Sequence, residues 1–216
     1  GVHEQAVIPV EKIKFSDEVR HLCEVNYCGS YGKTWACPPG VGSVEECREK
    51  CMAFTQVYIF TTWHPLEDSL DLDGMQEGKA AHEEVCARVR KIFEENFAET
   101  LVLTSEGCGN CQTCTYPDAP CRFPDHMCPS VESYGIFVNE EAAETGIHYI
   151  NGANTVTYFA PICVNRQPIV TPRSKRSTKR AVHYCLSLGW ERIIPIPMAI
   201  ATATASTLTS PAVRCS

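Results

Sequence analysis

At 216 residues, with 44% apolar and 9% aromatic content, the chain is long enough for one well-filled core and too large for a disulfide-held miniprotein. Its formal charge of −7 is unevenly spread: residues 161–216 hold eight Lys or Arg against one acid, Glu191, leaving eleven basic and twenty-five acidic residues in 1–160, so the body is near −14 and the tail near +7. An acidic body argues against nucleic acid as the main partner, because phosphate contacts need a positive surface, and no run of eighteen apolar residues offers a membrane span, Ile193 to Ala205 being broken by Pro195 and Pro197.

Fourteen cysteines are far more than a cytosolic enzyme normally carries, so either an oxidising compartment pairs them or a reducing one uses them as ligands. The spacings below favour ligands. The start does not read as a secretory signal, and cytoplasm is the expected location.

Ala6 to Val10 reads as a short edge strand, since Pro9 has no amide hydrogen to donate. Ser16 is an N-cap for a helix through Cys23. A loop punctuated by glycine and proline follows, completing the spacing Cys23-x4-Cys28-x8-Cys37-Pro-Pro-Gly40. A capping box at Ser43 and Glu46 then starts a helix that carries Cys47 and Cys51 one turn apart on one face. Cys23, Cys28 and Cys37 bring three thiols within fifteen residues, and Cys47 and Cys51 are near enough to complete a metal site. Three readings stay open: a three-thiol cubane with one open iron, a site closed by Cys47 or Cys51, or buried structural thiols.

Thr55 to Thr62 is β-rich and short enough for a strand. Asp71, Asp73 and Gly74 echo part of a calcium loop, but Ser69 and Ala80 fall at its outer ligand places, so a solvated turn is expected. Val85, Val89, Ile92, Phe93 and Phe97 form the apolar stripe of a long helix, and Thr100 to Thr104 is a second buried strand, which predicts a β-α-β unit. Its end runs into Cys108-x2-Cys111-x2-Cys114-x6-Cys121, four thiols in fourteen residues. Structural zinc usually takes two separated pairs of ligands, whereas three thiols at this spacing with a fourth later, next to a proline, resemble the ligand run of a cubane cluster. The fourth thiol is displaced relative to that run, and a zinc or disulfide-linked loop is the alternative. Gly107 and Gly109 permit close backbone approach to a bulky ligand.

Beyond the loop, short helices are expected up to Gly135 and from Val138 to Thr145, then a turn at Asn151-Gly152 and a last strand from Thr155 to Phe159. After Ala160 the texture changes to a basic stretch, Arg173 to Arg180, a helix over Ala181 to Leu188, and a Thr, Ala and Ser-rich end. The expected division is a cysteine-rich α/β domain over 1–160, with a small mixed sheet of about four strands, flanking helices and metal loops, and a partly disordered extension over 161–216.

The segments Tyr31-Gly-Lys-Thr-Trp-Ala-Cys-Pro-Pro-Gly-Val-Gly42, Gly107-Cys-Gly-Asn-Cys-Gln-Thr-Cys-Thr-Tyr-Pro-Asp118, Pro120-Cys-Arg-Phe-Pro124, Ser130-Val-Glu-Ser-Tyr-Gly-Ile136 and Asn154-Thr-Val-Thr-Tyr-Phe159 together resemble a bacterial and archaeal family, the domain of unknown function 2284, of predicted metal-binding proteins. The resemblance spans about residues 5–160. It implies a cysteine-ligated metal or iron-sulfur centre in a small cytoplasmic protein and supplies no reaction. Cys86, Cys128, Cys163, Cys185 and Cys215 match none of its motifs.

The expected cofactor is a 4Fe-4S cluster on Cys108, Cys111, Cys114 and Cys121, with a second centre on Cys23, Cys28 and Cys37 and zinc as the alternative metal. The leading function is electron transfer to a redox partner protein, docked through the acidic body. Two alternatives are an enzyme whose substrate meets an open iron beside Lys33 and Trp35, and a zinc-stabilised interaction module. His126 is a loop histidine near the fourth thiol, whereas His21, His64 and His148 have no partner pattern. Oligomeric state and catalytic residues are not set by the sequence.

Overall fold

The computed structural model describes residues 1–105 and 107–165. In chain order the elements are β1 (Gln5–Pro9), α1 (Asp17–Val25), α2 (Val44–Met52), β2 (Gln56–Pro65), α3 (Leu72–Asn96), β3 (Thr100–Val102), α4 (Val138–Thr145) and β4 (Thr155–Val164), with single 3-10 turns at Val10–Lys12, Pro124–His126 and Glu132–Tyr134. The expected α/β class with four strands is what is seen. The expected helix at Ala181 to Leu188, the basic stretch, Cys185 and Cys215 lie outside the described residues.

Local chemistry sets the helix starts. Ser16 accepts from the Glu18 amide at the head of α1, and Ser43 and Glu46 form the reciprocal capping box of α2. Asp71 corrects the solvated-turn expectation: its carboxylate accepts from the Gly74 amide at 2.8 Å and caps α3, so the two aspartates that echoed a calcium loop begin a helix instead. Gly146, at φ +74°, stops α4 in the left-handed region where a side chain would be strained.

The sheet order is β1-β2-β4-β3, and adjacent strands all run antiparallel. Since β2 and β3 each run opposite to β4, they are parallel to each other but not neighbours. The β2-α3-β3 crossover is therefore a split β-α-β unit with β4 inserted between its strands, which corrects the expectation of a simple one. β4 also runs four residues past Ala160, and Ile162, Cys163 and Val164 are fully buried, so the core includes residues first placed in the tail.

Both faces of the sheet are covered. On one, Val57, Ile59, Phe159 and Cys163 join Cys47, Cys51, Leu103, Tyr134 and Ile136 in a single apolar cluster. On the other, Tyr58 and Phe60 meet α3, with the Tyr58 and Phe93 rings 5.0 Å apart. Val57 to Phe60 of β2, buried on both faces, read as an unbroken apolar run without the alternation of a half-exposed strand. The consequence for function is positional: β3 ends where the four-cysteine loop begins, and α1 with the turn at Glu132–Tyr134 flanks the first cysteine group.

Candidate metal centre

The four-cysteine loop leaves β3 through Thr104, whose hydroxyl accepts from the Gly107 amide at 3.1 Å, while a single bridge pairs Thr104 with Ser130. Its internal bonds are short-range. The Thr115 hydroxyl donates to the Pro120 carbonyl at 2.8 Å, the Ala119 amide donates to Thr115, and the Arg122 guanidinium donates to the Thr113 carbonyl at 2.8 Å. These bonds close the segment between Cys114 and Cys121, so the six intervening residues form a compact loop and the displaced fourth thiol returns toward the other three.

Cys108, Cys111, Cys114 and Cys121 line one cavity of about 450 Å³. All four are half-buried. The opposite wall comes from the first cysteine loop, including Lys33, Thr34 and Trp35. Trp35 fixes this apposition: its indole donates to the Ala119 carbonyl at 3.0 Å and its ring meets Tyr116 edge-on at 4.9 Å. Gly40 fits closely beneath them, since a Cβ there would stand 2.7 Å from the Thr34 carbonyl and 2.9 Å from the Tyr116 ring. Lys33 and Trp35 were expected beside the first cysteine group; the Lys33 ammonium does lie near Gly29, which follows Cys28, at 3.8 Å from where a Cβ there would be, and both residues also line the cavity of the second group. Lys33 and Arg122 also bring two cations to a cavity on which, among the described residues, no carboxylate borders.

Cys23 leaves α1, Cys28 follows the helix stop at Asn26 (φ +61°), and Cys37 ends the Trp35 segment. These three thiols are electrostatic neighbours. Burial, reinforced by the Glu132 carboxylate, pushes the Cys23 thiol up to about 11. Burial likewise raises Cys37, opposed by the Thr34 hydroxyl and reinforced by Cys28, Cys108 and Glu132. The buried Thr34 hydroxyl oxygen has no hydrogen-bond partner among the described residues. The two groups adjoin: a Cβ on Gly107 would lie 3.6 Å from the Cys37 sulfur.

Cys47 and Cys51 are not brought to this place. Both are fully buried in the apolar cluster, Cys51 against Cys163, which with burial holds the Cys51 thiol far above its ordinary range. Of the open readings for these two, the buried structural thiol matches their surroundings. His126 is also turned aside: its Nδ1 lies 3.1 Å from the Arg90 guanidinium, which donates to the Cys128 sulfur at 2.8 Å. Sequence reasoning gave no role to Arg20, Thr34 or Glu132, which all border the first group. Only the three-residue step from Arg20 to Cys23 on one helix face was available to signal it.

Among the described residues, no group of three or more His, Cys, Asp or Glu side chains is closed up as a shell for a single metal ion. Cysteine thiols are soft donors of the kind that zinc and iron take. Seven thiols stand in two adjoining sets, and Lys33 and Arg122 line the cavity of the second.

No helix among the described residues is long and apolar enough to cross a membrane. A family model described as predicted metal-binding protein, DUF2284, matches residues 6–164. No curated protein and no solved structure matches the chain. The match covers well over half of the sequence and every cysteine motif described above, and the chain belongs to this family of predicted metal-binding proteins.

Proposed function

We propose that this metal-binding chain is an iron-sulfur protein that passes single electrons to a partner enzyme in a reducing, cytoplasmic setting. The observation that carries the reading is the convergence of Cys108, Cys111, Cys114 and Cys121 on one cavity walled by Trp35, Lys33 and Arg122. When bound there, a thiolate-ligated cubane supplies one-electron redox chemistry, with a potential set by burial, net charge and hydrogen bonds to sulfur. The protein's own residues do the tuning: Trp35 and Tyr116 cover the loop, while Lys33 and Arg122 favour the more negative, reduced state. Cys23, Cys28 and Cys37 would hold a second centre, and the apposition of Cys37 with Gly107 and Cys108 gives electrons a short route between the two.

The net charge of about −14 over residues 1–160 supports a partner with a basic docking face, whose association would slow as salt rises. The test is the visible spectrum of anaerobically purified protein. A brown chromophore that bleaches with dithionite, and loses part of its absorbance in Cys111→Ser and Cys114→Ser, is expected. A colourless protein with stoichiometric zinc overturns the proposal.

A further inference from the structure

Of α1, Val19 and Arg20 are buried, and the outer face of the helix is left open where the first cysteine group begins. Leu22 is 61% exposed, Val25 45% and Tyr27 91%, three large apolar side chains within six residues that also hold Cys23 and end beside Cys28, which is itself exposed. We propose that this end of α1 is the docking surface for the electron-accepting partner, a protein whose own face sets an apolar centre inside a rim of Lys and Arg, so that electrons leave through the Cys23, Cys28 and Cys37 centre. This rests on the iron-sulfur reading above and adds to it the point of exit and the chemistry of the partner's face.

The patch is held in place by its own backbone. Leu22 and Val25 stand three positions apart on one face of α1. The helix stops at Asn26, in the left-handed region at φ +61°, and the turn beyond is bonded back to that residue: the Asn26 carbonyl accepts from the Gly29 amide at 3.0 Å, and the Asn26 side chain accepts from the Tyr31 amide at 3.0 Å. Tyr27 therefore follows a fixed corner and offers its ring with little ordering left to be done on binding. Single exposed apolar side chains are ordinary, but three together beside a metal site form the kind of small apolar centre an interface is built on, and tyrosine is among the residues that carry most binding energy there.

Charge selects the occupant. Asp17, Glu18 and Glu24 are exposed on α1, Glu24 with the His21 Nδ1 at 3.0 Å, whereas Arg20 is turned inward onto the Gly42 and Ser133 carbonyls. The last turn of the helix holds no basic residue to offset its carbonyl end, which adds to the same sign. The cavity of the loop centre has the opposite character: Lys33 and Arg122 line it, and among the described residues no carboxylate does. A partner with a basic rim is drawn to the end of α1 and repelled from the loop cavity. Docked beside Cys28, it takes electrons from the first centre, which the loop centre refills across the contact between Cys37 and Gly107.

The experiment uses mitochondrial cytochrome c as the probe, a small basic protein that accepts one electron: the reduced centre loses one electron, one ferric haem becomes ferrous, and no bond is made or broken. Four full chains are compared: wild type, Leu22→Ser with Tyr27→Ser, Glu18→Gln with Glu24→Gln, and Glu84→Gln with Glu95→Gln on α3 as the control for general acidity. All the substituted side chains are exposed. The readouts are the rate of cytochrome c reduction by the pre-reduced, desalted protein, and carbodiimide cross-links from carboxylates to lysines mapped by mass spectrometry. The apolar pair is expected to slow reduction about tenfold. The rim pair should slow it several-fold and flatten its salt dependence, the control should match wild type, and cross-links should join Asp17, Glu18 or Glu24 to cytochrome c. Rates that match wild type in every variant, or a control slowed as much as the α1 variants, overturn the proposal. So do cross-links to cytochrome c from α3 alone, and links from the α1 carboxylates to a second copy or to Lys175 or Lys179 of the same chain, which give the face another occupant. Wild-type protein without iron defeats the iron-sulfur reading itself, a result read from metal content and distinct from all of these.

Discussion

Replacing Arg20 tests the frame that holds the first cysteine group. Arg20 is 9% exposed, and its guanidinium donates to two main-chain carbonyls from segments far apart in sequence, Gly42 ahead of α2 and Ser133 in the turn before α4. Hydrogen bonds from a charged donor contribute about 1.5–3 kcal/mol each, and the carbonyls left behind would be unsatisfied in a buried setting. Since neighbouring losses do not simply add, Arg20→Ala should cost about 3–5 kcal/mol. For a folded region of this size that corresponds to a melting temperature lower by roughly 10 °C. Arg20→Lys keeps the charge but loses the fork that reaches both acceptors, and should cost about half as much. Thermal melts followed by circular dichroism on matched preparations read this directly. An Arg20→Ala protein melting within about 2 °C of wild type would refute the reasoning that this residue ties α1 to the two segments.

Further outcomes follow from other parts of the structure. His82 is 2% exposed and burial holds its pKa near 4, against 6.5 for a free imidazole, so between these values the unfolded chain binds a proton that the folded one excludes. Stability should therefore fall as pH drops from about 6.5 to about 4 and level off below, by at most about 3 kcal/mol from this residue, and urea titrations should show that part of the slope vanish in His82→Gln. Cys51→Ser places a hydroxyl in the apolar cluster beside Cys163 and should cost about 1–3 kcal/mol while leaving iron content per folded protein unchanged; loss of a cluster would return Cys51 to the ligand set. Gly107→Ala imposes a side chain at φ +82° beside the Cys37 sulfur, and should cost about 1–2 kcal/mol and weaken iron retention, read by melting and iron analysis.

Much of the fold was legible where one short-range interaction decides the outcome. The Ser16 cap, the Ser43 and Glu46 capping box, and α4 ended by Gly146 all stand where their residues place them, because each is settled within four or five positions. Asp71 misled for the same reason: a carboxylate followed three residues later by glycine suits a cap as well as part of a calcium loop, and only the helix beyond decides. The strand order was not legible, since insertion of β4 between β2 and β3 depends on pairing across about sixty residues to β3 and ninety or more to β2.

On sequence, the last strand ends where the β-branched run stops, at Phe159, two residues short of Pro161. In the sheet its carbonyl accepts from the Leu103 amide, just past the last β3 residue, so its missing amide hydrogen falls at the edge of the ladder and not within it. At the site, the spacing of the four loop thiols predicts that they lie close together, and they line one cavity. The turn from Ser130 to Ser133 could not be read as a neighbour of the first group, because it is tied to α1 only through Arg20 and to the end of β3 only through the bridge at Ser130.

The account rests on thiolates converging upon iron and inorganic sulfide. Anaerobic analysis of iron, acid-labile sulfide and zinc, joined to electron paramagnetic resonance of the dithionite-reduced protein, tests it most directly. Iron and sulfide in near-equal amounts, close to eight of each per chain for two cubane centres, with a fast-relaxing spectrum altered in Cys111→Ser, is the predicted result. Zinc in place of iron, or a chain without metal whose loop cysteines are joined as disulfides, would contradict it.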